Sequence, residues 1–247
     1  MVVIPERVHL LELDVVDSTN RLARDLGFDG ARPWTIVHAL EQTAGRGRKQ
    51  HDWFSPRGNL FLSAILKPIK GPQRWSELSF AISLAVADTV ALVTNRLVIS
   101  LKWPNDVLVN NKKISGILLE TGTNAKKESY LVVGVGLNIA YSPEGTRYGA
   151  TCINELISEK SSVKIILPIL IGAIINWYDI WENLGFLEIR KQWLKRAHGL
   201  GKRIEIVGMT SKTQEGIYTG LSKDGRLVLK KDDGDIELVA AGTVTFV

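Results

Sequence analysis

The 247-residue chain has little cysteine: Cys152 is its one thiol, so no disulfide can form within the chain. Zinc sites built on cysteine pairs, CxxC redox pairs and iron–sulfur clusters are excluded for the same reason. Long hydrophobic runs are missing too, because the most apolar stretch, residues 165–175, is well short of the roughly 20 residues of a membrane span and contains Pro168. We therefore expect a cytoplasmic protein without a membrane partner, with a buried helix at 165–175 and a packed thiol.

Signatures of several catalytic chemistries are also absent. The sequence contains no GxSxG nucleophile elbow, no HExxH zinc motif and no GxxxxGK[ST] phosphate loop. The histidines are scattered without metal-ligand spacing and are interpreted as structural or exposed: His9, His38, His51 and His198. What the chain does have is a net charge of +5 and a pI near 9.3, which indicates anionic partners such as nucleic acid, a membrane surface or phosphates.

Hydrophobic periodicity predicts an α+β fold, in which a mixed β-sheet flanked by helices is followed by a small β-barrel. We expect the larger domain at residues 1–199 and the barrel at 200–247, because short β runs separated by Asp-Gly turns begin near 198–202. The predicted helices are 17–27, 77–93, 164–183 and 186–197. The predicted strands of the larger domain are 8–16, 35–40, 60–66, 98–102, 107–109, 114–120 and 130–135.

The most informative loop runs from Gln42 to Trp53. Gly45 and Gly47 let the backbone approach a ligand with its N–H groups exposed. Cationic side chains that suit phosphate or carboxylate oxygens stand among them: Arg46, Arg48 and Lys49. Trp53 offers a flat face to a heterocycle. The alternative interpretation, a basic surface loop with a packed tryptophan, is equally compatible with these residue types.

A second polar cluster, Lys102 to Asp106, follows a predicted strand. Pro104 ends regular pairing there, so Lys102 can neutralise a phosphate or carboxylate and Asp106 can hold Mg²⁺. An ion-paired turn is the alternative. Two weaker signals follow, and each is also typical of ordinary sheets: a lysine-rich hairpin end before Gly116, and the glycine-containing strand Gly134–Asn138.

Together these segments resemble the biotin–protein ligase family, and the resemblance covers nearly the whole chain. The matching segments occur in the family's order and approximate spacing: Ser18–Asn20, Gly45–Arg48 with Trp53 downstream, Lys102–Asp106, Lys113–Glu120 and Gly134–Asn138. The terminal barrel resembles the family's small C-terminal domain. The implied fold is a biotin/lipoate ligase-like catalytic domain with an SH3-like barrel.

The resemblance implies an ATP-dependent ligase that works in two steps. Biotin's carboxylate attacks the α-phosphate of ATP with Mg²⁺ present, giving biotinyl-5′-AMP and pyrophosphate. A lysine of a biotin carboxyl carrier protein then attacks the adenylate and releases AMP. Family members often form homodimers, and those that repress transcription carry an N-terminal DNA-binding domain. We expect no DNA partner here, because only about 17 residues precede Ser18.

Residue roles follow from the same resemblance. Catalytic roles fall to Arg48, Lys113 and Lys102. Biotin would be bound by Ser18, Thr19, Asn20, Gln42, Gly45, Arg46, Gly47, Arg48, Lys102, Gly116, Gly134 and Gly136. ATP would be bound by Arg46, Arg48, Trp53, Asn105, Lys113 and Asn138. Asp106 is the expected Mg²⁺ ligand. Many members carry Gly and Arg where Gln50 and His51 stand here, so the second half of this loop is less flexible and less basic.

Two other functions compete with this interpretation. A lipoate or octanoate ligase of related fold would need a long apolar tunnel, and the polar Ser18–Asn20 segment argues against it. A basic nucleic-acid-binding protein would need aromatics interleaved with basic residues on the barrel strands, where Tyr218 and Phe246 are the aromatics present.

Overall fold

The computed structural model describes residues 4–94, 97–146, 149–208 and 213–246. Its larger part is built on a seven-stranded sheet. The strands are β1 (His9–Val16), β2 (Thr35–Gln42), β3 (Leu60–Leu66), β4 (Ile99–Lys102), β5 (Asp106–Val109), β6 (Lys112–Thr123) and β7 (Ser129–Leu137). Their order is β1-β2-β3-β7-β6-β5-β4. The β1–β2 pair is parallel and the other neighbours are antiparallel, so the sheet is mixed as predicted.

Helices cover both faces of this sheet. They are α1 (Thr19–Phe28), α2 (Leu78–Val93), α3 (Val163–Leu184) and α4 (Phe186–Leu194). The inner strand β3 is buried along its whole length. Alternate residues such as Leu62 join the main core with α2 and α3, whereas Ile65 packs with Ala23 of α1 on the opposite face. Among the described residues, the core cluster on the α1 face is much smaller than the one on the opposite face, and this leaves room for a cavity beside α1.

The predicted buried helix at 165–175 is confirmed as part of α3. Ile166, Leu170, Ile171 and Ile174 are fully buried against the main core. Two helical segments, 72–93 and 163–184, are long and apolar enough to cross a membrane by length and composition alone. Both contribute to the core of this structure, and core helices meet that criterion too.

The C-terminal part is a five-stranded antiparallel sheet. Its strands are β8 (Arg203–Val207), β9 (Thr213–Leu221), β10 (Leu227–Lys230), β11 (Ile236–Val239) and β12 (Thr243–Phe246), in the order β11-β10-β9-β8-β12. This agrees with the predicted SH3-like barrel. Its buried residues, including Ile204 and Leu229, belong to the same core cluster as α2 and α3. Trp103 Nε1 donates to Gly225 O at 3.2 Å, so the two parts also share a polar contact.

The bounds of three elements differ from those predicted from the sequence: the start of α1, the turn between β5 and β6, and the end of α4. Helix α1 begins at Thr19, two residues later than the predicted start at residue 17, and Ser18 is its N-cap. The hairpin turn is tighter than the predicted Asn110–Lys113: Asn110 and Asn111 both take positive φ, at 49° and 64°, and β6 starts at once. The predicted helix 186–197 ends earlier, at Leu194.

Candidate active site

A cavity of about 570 Å³ lies on the α1 face of the sheet, within the usual size range of small-molecule sites. Most of the residues predicted from the sequence line it: Ser18, Thr19, Asn20, Gln42, Arg46, Gly47, Arg48, Trp53, Lys102, Asn105, Asp106, Lys113, Gly116, Gly134 and Gly136. The loop 42–53 and the start of β12 form the other walls. Segments scattered over more than a hundred residues of sequence thus meet in one place.

The floor of the cavity is a row of residues that pair directly across five strands. Phe61 of β3 pairs with Gly136 of β7, and Gly136 pairs with Gly116 of β6. Gly116 pairs with Asp106 of β5, which in turn pairs with Lys102 of β4. Directly opposite residues share one face of a sheet. The sheet register therefore brings three of the sequence motifs together.

A β-bulge turns Lys113 toward this row. Lys113 and Gly116 are three residues apart, so in a regular strand they would face opposite sides. The register between β5 and β6 shifts at Val107/Leu108, and the extra residue puts Lys113 opposite Leu108, on the face of Asp106. Lys113 Nζ then lies 2.6 Å from Asp106 Oδ1 and 5.3 Å from the centroid of the Trp53 ring.

One end of the cavity is a neutral, buried hydrogen-bond network. The Thr19 backbone N–H donates to Gln42 Oε1 at 2.8 Å, and Thr19 Oγ1 lies 3.0 Å from the same oxygen. Ser63 Oγ lies 2.8 Å from Thr19 Oγ1 and 2.6 Å from Asn20 Oδ1. Gln42 Nε2 donates to Ser55 Oγ at 2.9 Å. Because Ser18, Thr19 and Asn20 are at most 5% exposed, these donors and acceptors are already in place for a small polar ring.

The glycines of the floor make room for side chains as well as for a ligand. A Cβ at Gly134 would lie 2.0 Å from Asn20 Oδ1, and one at Gly136 would lie 2.4 Å from the Trp53 indole. At Gly45 a Cβ would meet Ser55 Oγ at 2.3 Å, so this glycine serves the packing of the loop. From the sequence, these glycines are expected to face biotin. Here they also fix the positions of Asn20 and Trp53.

The other end of the cavity is cationic. The basic side chains here are Arg48, Lys49, Lys102 and Lys113, and the cavity lining also carries two carboxylates, Asp52 and Asp106. Another basic residue of the lining, Arg46, lies beside the neutral network, with Nη2 3.5 Å from Glu120 Oε2. Arg48 Nη1 donates to Asn105 Oδ1 at 3.1 Å. Burial lowers the pKa of Arg48, and the nearby Asp106 carboxylate partly opposes that change. Guanidinium and ammonium groups held in a half-enclosed site suit the oxygens of a phosphate chain.

The C-terminal sheet closes this cationic end. Val207, Gly242, Thr243 and Val244 line the cavity, and Lys49 Nζ lies 3.4 Å from Thr243 Oγ1. These contacts place its β12 strand over the part of the cavity that carries the cationic groups.

The C-terminal sheet also contacts Lys102, through Phe246 of β12. Lys102 Nζ lies 5.8 Å from the centroid of the Phe246 ring, and His198 packs edge-on against the same ring at 4.6 Å. Burial, Lys102 and Lys202 together lower the pKa of His198. His198 is therefore structural, as predicted, whereas His51 lines the cavity, which was not predicted.

Several residues lie elsewhere than expected. Asn138 is outside the cavity lining: it is 2% exposed and donates from Nδ2 to Thr151 O at 3.1 Å. Gly45 also lies outside the lining. Ser63 was not among the residues predicted from the sequence. Its one signal is that a serine interrupts an otherwise apolar strand. Glu120 was not among the predicted site residues either, although Glu120 Oε2 accepts from Asn20 Nδ2 at 2.8 Å.

The cavity has few donors for a divalent metal ion. Among the described residues no group of three or more His, Cys, Asp or Glu side chains is arranged to hold an ion. The predicted ligand Asp106 is paired with Lys113 at 2.6 Å. One carboxylate beside a lysine does not make a resident metal site, but it fits a cation that arrives on phosphate oxygens and needs one or two protein ligands.

Comparison with known proteins places these features in one family. A model of the biotin/lipoate A/B protein ligase family matches residues 12–138, and a model of the biotin protein ligase C terminal domain matches residues 199–247. A biotin--[acetyl-CoA-carboxylase] ligase of Paracoccus denitrificans is 34% identical over 238 residues, covering 93% of this chain and 97% of the relative. One from Mycobacterium tuberculosis is 31% identical, covering 94% and 88%.

The fold agrees as well. The structure of biotin protein ligase from Aquifex aeolicus in complex with biotin and ATP superimposes with a TM-score of 0.84 at 27% identity, covering 97% of this chain and 99% of that one. The family models, the relatives along nearly the full chain and the shared fold agree with the cavity described above, and the chain belongs to the biotin protein ligase family.

Proposed function

We propose that this chain joins biotin to ATP in the cavity on the α1 face and transfers the biotinyl group to a lysine of a biotin carboxyl carrier protein. The observation that carries the proposal is the pairing of two unlike ends in one cavity. A neutral polar network suits a ureido ring, and a cluster of cationic groups suits a carboxylate and a phosphate chain. The names of the relatives, which are biotin ligases, support the same activity.

The first step needs charge stabilisation rather than an enzyme nucleophile. A biotin carboxylate oxygen attacks the α-phosphorus, the bond to the β-phosphate oxygen breaks, and pyrophosphate leaves. Lys102 and Arg48 hold the carboxylate and the phosphate close together, which offsets their mutual repulsion. Arg48 and Lys113 stabilise the charge that develops at the α-phosphate. Trp53 lies beside Lys113 and offers the aromatic surface for adenine.

We propose that magnesium binds as its complex with ATP. When bound to the triphosphate it neutralises the charge of the leaving pyrophosphate. Asp106 and Asn105 are the cavity residues with oxygen atoms that would hold it. Because Asp106 is paired with Lys113 in this structure, the ion's arrival would exchange that partner.

The second step uses an amine from the acceptor. The neutral lysine amine attacks the carbonyl carbon of the mixed anhydride, and the carbon–oxygen bond to AMP breaks. The surplus proton on the amine nitrogen passes to solvent, which leaves the amide and AMP. The same cationic groups stabilise the departing phosphate of AMP. The lone thiol Cys152 takes no part: it is 1% exposed, and burial raises its pKa.

The oligomeric state and the partners complete the proposal. We propose a homodimer, supported by the exposed Leu11 and Val15 on the edge strand β1. Sedimentation velocity would test it. We propose no DNA partner, since the cavity gives five of the basic side chains a small-molecule use.

Pyrophosphate release tests the proposed activity directly. We expect release that requires both biotin and ATP, and one equivalent per site when no acceptor is added. A biotin carboxyl carrier domain should then restore turnover. Release with lipoate but not with biotin would overturn the assignment in favour of the lipoate ligase alternative.

A further inference from the structure

Asn105, in the turn between β4 and β5, links strand β6 to the Arg48 side chain. Its Nδ2 donates to Ile117 O at 2.8 Å, and its backbone O accepts from Ile117 N at 3.1 Å. Arg48 Nη1 donates to Asn105 Oδ1 at 3.1 Å. Among the residues that the structure describes, Asn105 is the one hydrogen-bond acceptor for this guanidinium.

The two partners of the Asn105 side chain fix the orientation of its amide. A backbone carbonyl only accepts hydrogen bonds, and a guanidinium only donates them. The amide NH₂ therefore faces Ile117 O, and Oδ1 faces Arg48. Because Asn105 is bonded to β6 through its backbone as well as its side chain, Oδ1 is an acceptor held at a defined place beside the cavity.

The neutrality of this acceptor matters as much as its place. The Asp106 carboxylate attracts Arg48, and it is already paired with Lys113 at 2.6 Å. If Arg48 turned to this carboxylate, an ion pair would compensate the charge that a phosphate oxygen needs. A neutral amide instead holds the guanidinium by a hydrogen bond and leaves its full charge for the ligand.

We propose that Asn105 is a positioning residue for the adenylation step, which holds Arg48 toward the α-phosphate and away from Asp106 without cancelling its charge. The inference rests on the proposed function, and it assigns Asn105 a role beyond the contact with ATP that was expected from the sequence. The amide also has a second N–H and Oδ1 a second lone pair, which suit a direct contact with ATP or its magnesium ion. The two roles are separated by removing Arg48 and by removing the metal.

A double-mutant cycle with Arg48→Ala makes this separation. The ligand is a stable analogue of biotinyl-5′-AMP in which a methylene group replaces the acyl carbonyl, so the phosphate charge remains. Its affinity is measured by isothermal titration calorimetry on the full chain in buffer that contains EDTA. We expect Asn105→Ala to lower this affinity about tenfold in the wild-type background and less than twofold in the Arg48→Ala background. A residue that acted by contacting the ligand would lose the same affinity in both backgrounds.

A second measurement follows the reaction with magnesium present. Asn105→Ala should lower the single-turnover rate of pyrophosphate release about ten- to a hundredfold. Its affinity for biotin alone should change less than threefold, a split that a general loss of structure would not produce. Asn105→Asp should lose at least as much rate, because the new carboxylate compensates the charge of Arg48. A residue that served only to hold magnesium would tolerate this change, since carboxylates are good ligands for that ion.

Two further variants complete the comparison. Asn105→Ser keeps a polar group in the turn but is one atom too short to reach Arg48, so it repeats the cycle if Asn105→Ala folds poorly. The matched control is Asn154→Ala. Asn154 also joins a donor to an acceptor, because its Nδ2 donates to Ser161 O at 3.2 Å and its Oδ1 accepts from Ser161 N at 2.8 Å, outside the cavity lining. This control should bind the analogue as wild type does.

Three results would overturn the proposal. They are an affinity of Asn105→Ala for the analogue within twofold of wild type, a loss that is equally large in the Arg48→Ala background, and a wild-type rate for Asn105→Asp. Failure of wild type to bind the analogue or to release pyrophosphate would overturn the proposed function instead.

Discussion

The two ends of the cavity are built on opposite principles. At the neutral end, Thr19, Asn20, Gln42 and Ser63 are joined by hydrogen bonds of 2.6–3.0 Å, and they are held by α1 and the centre of the sheet. At the cationic end, side chains such as Arg48 come from a loop, a hairpin and strand ends, and the C-terminal sheet covers them. One end is complete without a ligand, whereas the other gathers like charges that a polyanion would relieve.

Because of this difference, the two ends contribute different kinds of binding energy. A prearranged neutral network recognises a ring by direction and shape, and salt hardly affects it. A cationic cluster binds anions strongly, is screened by salt, and stabilises charge that appears during reaction. We therefore expect substitutions at the first end to act on biotin affinity and substitutions at the second to act on ATP affinity and on rate.

The largest expected effect comes from Arg48→Ala. Loss of one prearranged cation near the α-phosphate should lower the single-turnover rate of pyrophosphate release by about 10²–10³-fold at saturating substrates. Arg203→Ala, which removes an exposed arginine paired with Asp232 on the barrel, is the matched control and should leave the rate unchanged. A less than fivefold loss in Arg48→Ala would show that the cationic end does not drive the chemistry.

A pair of glycine substitutions should separate the two ends. In Gly134→Ala the new Cβ meets Asn20 Oδ1, and in Gly136→Ala it meets the Trp53 indole. Overpacking of this kind costs about 1–3 kcal/mol, so we expect roughly tenfold losses: of biotin affinity for the first and of ATP affinity for the second. Gly172→Ala in α3, where a Cβ meets nothing within 4 Å, is the control. Equal losses of both ligands in both variants would contradict the division.

Changes in ionic strength should also distinguish the two ends, with a smaller effect than the substitutions above. Raising salt from about 0.05 to 0.5 M shortens the screening length to a few ångströms, so the KM for ATP should rise several-fold. The KM for biotin should rise less, because biotin brings one carboxylate charge to the cationic end, whereas ATP brings several phosphate charges. Initial-rate measurements at constant free Mg²⁺ check this, and equal changes in both values would argue against it.

The smallest effect should arise away from both ends, at His38. This histidine is 1% exposed, its ring nitrogens make no hydrogen bond, and burial lowers its pKa despite Glu12 at 3.7 Å. The folded chain thus resists a proton that the unfolded chain takes up near pH 6.5. Stability should fall as pH drops below 6.5, by at most about 1.4 kcal/mol per pH unit. Urea unfolding of His38→Gln should show a flatter dependence, and an unchanged slope would contradict this.

The sequence was sufficient for the fold class and for most of the cavity, for a physical reason. Motifs such as Lys102–Asp106 and Lys113–Glu120 lie at strand ends and in strands, and regular register joins such positions across a sheet. The glycines and asparagines that need close approach or positive φ, such as Gly136 and Asn110, also carry a local signal.

Other parts of the site have little or no local signal in the sequence. Ser63 looks like an interruption of an apolar strand, and its role depends on α1 lying above it. The contact between Lys49 and Thr243 joins residues 194 positions apart, which no local pattern encodes. The bulge that turns Lys113 toward the cavity adds one residue to a hairpin, and its effect on facing depends on the pairing itself.

The most direct test of the two-ended account is a titration of biotin alone, without ATP, into Thr19→Val and Arg48→Ala. Thr19→Val removes the hydroxyl of the neutral network at nearly constant volume, and Arg48→Ala removes one cation. We predict at least a tenfold loss of biotin affinity for Thr19→Val and a clearly smaller loss for Arg48→Ala. A loss in Arg48→Ala that equals or exceeds the loss in Thr19→Val would contradict the account.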